Sequence, residues 1–210
     1  MTDTKWKRRK EDRPAEIVEA ATEIFIQSGY AGANLDDVAK RAGIAKGTLY
    51  RYFADKEALF RAVVQQVIAT NLLMIEKAGS GLHGSVQEFV PRLLRLAADP
   101  SRGNRAPALA RLVIAESQAF PDLAKIWHDN VVTRVLALLS GIIEKAQERG
   151  EVRAGDPLLH AFSIIGPMIA ALTFREVFGS SSPQSPDPQK LAEQHSAAIL
   201  RGLLVEPVKT

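Results

Sequence analysis

Apolar residues recur at three- and four-residue spacing along nearly the whole chain, as in helices that each bury one face. The first stripe is Ile17, Val18, Ala21, Ile24 and Phe25. It stops at Gly29, and Pro14 stands just inside its start, where a missing N–H does no harm. Leu35, Val38, Ala39 and Ala42 make a short second stripe ending at Gly43. Asn34 is placed to cap it, with Asp37 three residues on as a weaker capping box. Leu49 and Phe53 anchor a third, very short helix. Asp55 caps a longer one, which carries Leu59, Phe60, Val63, Val64, Val67, Ile68, Leu72 and Ile75 and ends near Gly79.

The second half repeats the pattern. Val86, Phe89, Val90, Leu93, Leu94 and Ala97 form a stripe in which Pro91 either kinks the helix or marks its start. Residues 99–107 read as a loop, and Leu109, Leu112 and Val113 follow. Pro121 opens a long stripe from Leu123 to Ala146, closed by Arg149-Gly150. Asp156 caps a helix with no charge between Leu158 and Phe174, and a Ser/Pro-rich connection leads to a last helix over about residues 189–204. No strand-like alternation of useful length interrupts this. The expected fold is all-α, with about nine helices. The expected parts are a basic flexible tail (1–12), a three-helix unit (13–54) and a larger helical bundle (55–210).

Composition narrows the function. The formal charge of +3 is too small to indicate nucleic acid by itself, but residues 1–13 carry six basic against three acidic side chains, which equals the whole excess. The absence of cysteine excludes disulfides and thiolate metal sites. The basic start has no apolar run behind it, so it is not a signal peptide, and the uncharged 158–174 stretch is short for a bilayer and broken by Gly166-Pro167. A soluble, cytoplasmic protein without membrane contact is expected. His83, His128, His160 and His195 are scattered without ligand spacing, and no phosphate loop or nucleophile motif is present. No catalytic residue, metal or cofactor is expected.

The informative feature is Gly43-Ile44-Ala45 between two short helices, the arrangement of a helix-turn-helix. Ala39, Ile44 and Leu49 supply the small contact, the turn pin and the inward anchor. Plotted at about 100° per residue, Phe53 lies about 40° from Leu49, while Gly47 and Arg51 fall about 160° and 200° away. Thr48 completes an outward face without an acid, flanked by Tyr50 and Tyr52. Such a face suits the major groove: Gly47 allows close approach, Arg51 can fork to guanine and Thr48 offers a hydroxyl and a methyl. Lys46, the tyrosine hydroxyls and Lys56 are placed for phosphate.

The run AGANLDDVAKRAGIAKGTLYRYFADKEALFRAV (31–63), with RPAEIVEAATEIFIQSGY (13–30) before it, closely resembles the DNA-binding domain of the TetR family of bacterial transcriptional regulators. The resemblance is specific over roughly residues 13–65. It implies a homodimer on a palindromic operator, with a small-molecule pocket and the dimer interface in the larger domain. By position it assigns operator contacts to Lys46, Gly47, Thr48, Tyr50, Arg51, Tyr52 and Lys56, and a phosphate contact to Asn34. Ala45 departs from the usual serine or threonine cap, a loss of about 1 kcal/mol locally. The basic tail is either a solubilising segment, an arm that follows phosphates or the minor groove, or a lipid-binding stretch that lacks an apolar face.

Candidates for the pocket are Phe89, Leu93, Leu112, Glu116, Phe120, Trp127, Val131, Phe162, Gly166 and Met168. Glu116 either recognises a cationic group or pairs with Arg111 or Arg95. Gly166-Pro167 bends its helix and can open space beside it. The last two helices hold more apolar surface than one small core needs. Leu158, Phe162, Ile165, Ile169 and Leu172 on one, with Leu191, His195, Ala198, Ile199 and Gly202 on the other, are the dimer candidates. The expected activity is repression relieved by a small, largely apolar effector, transmitted by the helix that starts at Asp55. The runner-up is an effector-independent or architectural DNA-binding protein, and an enzyme on a borrowed bundle is the third class.

Overall fold

The computed structural model describes residues 3–79 and 85–205, with the backbone alone for residues 3–12 and 102. The side chains of the basic tail and all of His83 thus lie outside the described residues. The helices are α1 (Asp3–Gly32), α2 (Leu35–Arg41), α3 (Lys46–Tyr50), α4 (Lys56–Gly79), α5 (Val86–Ala98), α6 (Ala106–Glu116), α7 (Pro121–Trp127), α8 (Thr133–Glu148), α9 (Pro157–Phe178) and α10 (Pro188–Leu203). A π turn, His128–Val132, fuses α7 and α8 into one rod, so the expected number of helical rods is met. A short 3-10 turn, Pro100–Arg102, sits in the loop expected there.

One helix start differs from expectation, and a second, open in the sequence, is settled. The backbone of α1 is helical from Asp3, which places Pro14 inside it rather than in its first turn. The lysines and arginines that dominate the residues before Pro14 are good helix formers, so the helix continues through one missing hydrogen bond. The same holds for α5, which runs through Pro91 from Val86. Its first amides are held from outside: the Glu151 carboxylate accepts from Val86 N (2.6 Å) and Gln87 N (3.1 Å).

Two apolar clusters organise the bundle. One joins α1, α2 and α3 to Leu59–Ile68 of α4 and to Leu109, Leu112, Leu123 and Ile126 of α6 and α7. The other joins α5, α8, α9 and α10 to Ile75 and Ala78 at the far end of α4. α4 therefore belongs to both, and α6 and α7 pack on the amino-terminal unit as well as on the bundle. α4, α9 and the Pro121–Glu148 rod are long and apolar enough to cross a membrane. Each packs against neighbouring helices here, α4 on α1 and α5 and α9 on α8 and α10.

Pro167 lies within α9, and the helix survives it through a repair from α10. The proline cannot donate to the carbonyl four residues back, Ser163. His195 Nε2 lies 3.1 Å from that oxygen and 3.0 Å from the Ile164 oxygen. Two carbonyls can share only a donor, so Nε2 carries the proton.

Candidate nucleic-acid interface and ligand chamber

The turn between α2 and α3 closes as the glycine requires. Gly43 adopts φ +65°, Ile44 N donates to Ala39 O (3.0 Å) and Gly43 N to Lys40 O (3.2 Å). This paired closure is the Schellman arrangement, and it fixes the direction in which α3 leaves. Leu49 is fully buried beneath α3. Lys46, Gly47, Tyr50 and Arg51 are exposed, with Thr48 partly so. Asn34 caps α2 by accepting from Asp36 N (3.0 Å). Ala45 gives α3 no side-chain cap.

Three of the assigned residues have partners that spacing did not show. α3 has no acid of its own, but Asp36 of α2 lies 2.7 Å from Lys46 Nζ and raises the lysine pKa by hydrogen bonding and charge. Tyr52 packs partly buried on the apolar cluster rather than flanking the open face. Tyr52 N and Phe53 N still bond to Leu49 O (2.9 and 3.0 Å), and at about 100° per residue position 52 lies only about 60° from Leu49, on the core side. The Lys56 ammonium donates to Tyr30 O (2.8 Å), Ala31 O (3.2 Å) and Ala33 O (3.0 Å). All three of its protons are engaged, and it reaches a phosphate only by giving up one of these carbonyls.

Those carbonyls belong to an isolated helical turn. Gly29 breaks α1 with φ +73° and ψ +171°, so residues 30–33 form a new turn with both ends open. Lys56 closes the carbonyl end. Glu116, from the end of α6, closes the amide end, accepting from Tyr30 N (2.8 Å) and Ala31 N (2.7 Å). An acid at the amino end and a base at the carboxyl end also match the turn's dipole. Tyr30 itself is buried, stacked on Phe25 and edge-on to Phe60 and Phe120. Burial raises its hydroxyl pKa, with the charges of Glu57, Asp55 and Asp122 adding to the shift. Glu116 is therefore not a pocket residue and does not serve the cation or arginine roles expected of it.

An apolar chamber of about 340 Å³ lies between α4, α5, α6, the α7–α8 rod and α9. Of the ten expected residues it includes Leu93, Trp127, Val131, Phe162 and Met168. Leu112 and Phe89 are buried in the two cores instead, and Phe120 packs against the amino-terminal cluster. Gly166 has open space at its α-carbon and is not in the wall. The π turn is what spacing missed: Val131 and Val132, adjacent within it, both line the chamber with Trp127. A second, polar hollow of about 510 Å³ shares Ala97, Asn104, Pro107 and Leu172 with the chamber and carries Arg105, Arg175 and Glu176.

Residues 17–63 match the model for bacterial regulatory proteins of the tetR family, and residues 85–201 match the AefR-like transcriptional repressor C-terminal domain. The chain belongs to the TetR family. Among relatives of this TetR-family chain, the regulator YhgD of Bacillus subtilis is 29% identical over 167 residues, covering 77% of this chain and 83% of YhgD. The regulator UidR of Escherichia coli is 29% identical over 136 residues, 65% and 67% of the two chains. A TetR-family structure from Mesorhizobium loti superposes with a TM-score of 0.73 at 27% identity, over 94% of this chain and 99% of that one. FadR of Bacillus subtilis, solved in complex with stearoyl-CoA, shares the fold at 21% identity and a TM-score of 0.74, over 90% and 98%.

The expected dimer residues of this regulator divide by burial. On α9, Leu158, Phe162 and Ile169 are exposed, as are Leu159, Val177 and Phe178, which spacing did not single out. Ile165 and Leu172 are partly buried in the chamber wall. On α10, Ala198 and Gly202 are exposed, while Leu191 and Ile199 pack on the second cluster. His195 is turned inward to the α9 carbonyls.

Proposed function

We propose that this TetR-family regulator is a cytoplasmic homodimeric repressor whose α3 reads a palindromic operator and which releases DNA when a small, largely apolar effector fills the chamber. The observation that carries the DNA half is the open face of α3. Gly47, Tyr50 and Arg51 stand clear of the core on a helix fixed from below by Leu49 and from behind by the Gly43 turn. Asn34 and Lys46 lie alongside for phosphate, and Lys46 exchanges Asp36 for it. Residues 13–54 form the reading unit and 55–210 the sensing unit, with α4 common to both. The two-fold contact is made by the exposed apolar side of α9, with Ala198 and Gly202 of α10 beside it, and it spaces two α3 helices about one duplex turn apart. The likeness in fold to FadR of Bacillus subtilis, solved in complex with stearoyl-CoA, supports a ligand-responsive role.

Selection from random duplex DNA by the purified protein tests the first half. Enrichment of an inverted repeat with half-sites about one turn apart is expected, and recovery of no palindrome would overturn it. Sedimentation at micromolar concentration tests the second: a monomer would remove the geometry on which a palindrome depends.

A further inference from the structure

The chamber wall contains no lysine, arginine, aspartate, glutamate or histidine. Among the described residues its polar side chains are Asn71, Asn104, Thr173 and the Trp127 indole, and the Asn104 oxygen already accepts from Ala106 N at 3.0 Å. Asn71, on α4, is 9% exposed and its amide nitrogen donates to Val67 O at 3.0 Å. A carbonyl accepts only from the nitrogen, so the amide orientation is fixed and the Asn71 oxygen is left as an acceptor at the wall. Across the chamber, on α9, Thr173 Oγ1 is fully buried and has no hydrogen-bond partner. A helical threonine commonly satisfies its hydroxyl on the preceding turn, and Thr70, on the outside of α4, does this with Gln66 O at 3.1 Å. Thr173 does not. The unpaired buried Thr173 hydroxyl is costly to leave without a partner.

We propose, building on the effector reading of this chamber, that its ligand is an uncharged, mainly apolar molecule with a hydroxyl or N–H donor for Asn71 and an oxygen acceptor for Thr173, and that ionised heads are rejected. Both groups fix the ligand's orientation, and the ligand's acceptor removes the cost that the Thr173 hydroxyl carries in the empty chamber. An ionised carboxylate has no counter-charge in this wall, so entering it forfeits hydration without replacement. The charged side chains stand in the neighbouring hollow. There Asp99 accepts from Ser101 N and Asp187 from Gln189 N and Lys190 N, and one Arg175 nitrogen donates to Pro186 O. The apolar bulk of the ligand lies between Trp127 and Phe162.

Three matched probes decide this: 6-phenylhexan-1-ol, 6-phenylhexanoate at pH 8 and hexylbenzene, each measured by equilibrium dialysis against the full-length protein. The alcohol is expected to bind about tenfold more tightly than the hydrocarbon and at least about tenfold more tightly than the carboxylate. In Asn71→Leu/Thr173→Val the alcohol should fall to the level of the hydrocarbon, while hydrocarbon binding is kept. Thr173→Val alone, nearly isosteric, provides a variant that folds if the double one does not, and it should narrow the same ratio. A carboxylate that binds as well as the alcohol, or an alcohol advantage that survives both substitutions, would overturn the proposal and leave the effector reading intact. Binding of none of the three would remove the effector reading itself.

Discussion

Replacing Glu116 by glutamine tests the contact between the two halves most directly. The carboxylate holds two backbone amides, at 2.8 and 2.7 Å, across 86 and 85 residues of sequence. A hydrogen bond to a charged group contributes about 1.5–3 kcal/mol, and this one is only part-buried, so the lower end applies. Glutamine keeps one acceptor but turns its own N–H₂ toward the second amide. The expected loss is about 1–2 kcal/mol, or a fall in thermal unfolding midpoint of roughly 2–8 °C for a chain of this size. Urea unfolding with and without the substitution reads this directly. A second substitution, Lys56→Met, frees the other end of the same turn. If the two residues clamp one element, the double variant costs less than the two single losses added, because the turn is already released after the first. An unchanged midpoint in Glu116→Gln, or strict additivity with Lys56→Met, would refute the clamp.

Three further outcomes follow from the same coordinates. Arg51→Ala should flatten the preference at one base pair of the selected operator by about 1–3 kcal/mol; an equal loss on every sequence would make Arg51 a phosphate contact. His195→Ala should lower stability by about 1–2 kcal/mol in thermal unfolding, and much less in a Pro167→Ala background, where residue 167 regains its own N–H for the Ser163 carbonyl; an equal cost in both backgrounds would refute the repair. The Tyr30 hydroxyl has a folded pKa above its ordinary value of 10.0. Its contribution is therefore fully present below about pH 10 and lost as pH rises through the folded value, so wild type should lose more stability than Tyr30→Phe on alkaline titration.

What could be read in the sequence was what is local. The glycine turn, the Leu49 anchor and the Asn34 cap are set within a few residues of each other, and Asp55 likewise accepts from Ala58 N at 2.7 Å. What could not be read was anything satisfied from far along the chain. Glu116 and Glu151 each cap a helical turn on another element, and Lys56 closes the end of one. No spacing rule marks such residues, and a glutamate at the end of an apolar helix looks like a pocket group or a surface pair. Tyr52 went astray for a different reason: its plotted angle lies only about 60° from Leu49, nearer the core than the open face, and both Tyr52 and Phe53 pack on the first cluster. The chamber was half legible because an apolar stripe does not tell core from wall. Val132 joins the expected Val131 in the wall within the π turn, which carries no sequence mark of its own.

The clamp on residues 30–33 also locates where a ligand signal would converge. Glu116 ends α6, and Val113 and Ile114, less than one turn before it, are in the chamber wall. Lys56 begins α4, and Asn71 and Ile75, in the same wall, lie roughly 22–29 Å along that helix at about 1.5 Å per residue. Both jaws thus sit on rigid elements whose other portions meet the ligand. Hydrogen bonds of 2.7–2.8 Å weaken steeply with small misalignment, so on the proposed mechanism a shift of about an ångström of α6 against α4 is enough to change the hold on the turn. The turn leads directly into Asn34 and α2, and through the Gly43 closure into α3. A coupling carried this way is reciprocal: operator DNA should weaken ligand binding by the factor by which ligand weakens operator binding. Glu116→Gln should reduce both factors together while leaving each ligand able to bind alone. If it reduced ligand affinity in the absence of DNA as much as in its presence, Glu116 would be acting on the chamber itself, and the clamp would have no part in the signal.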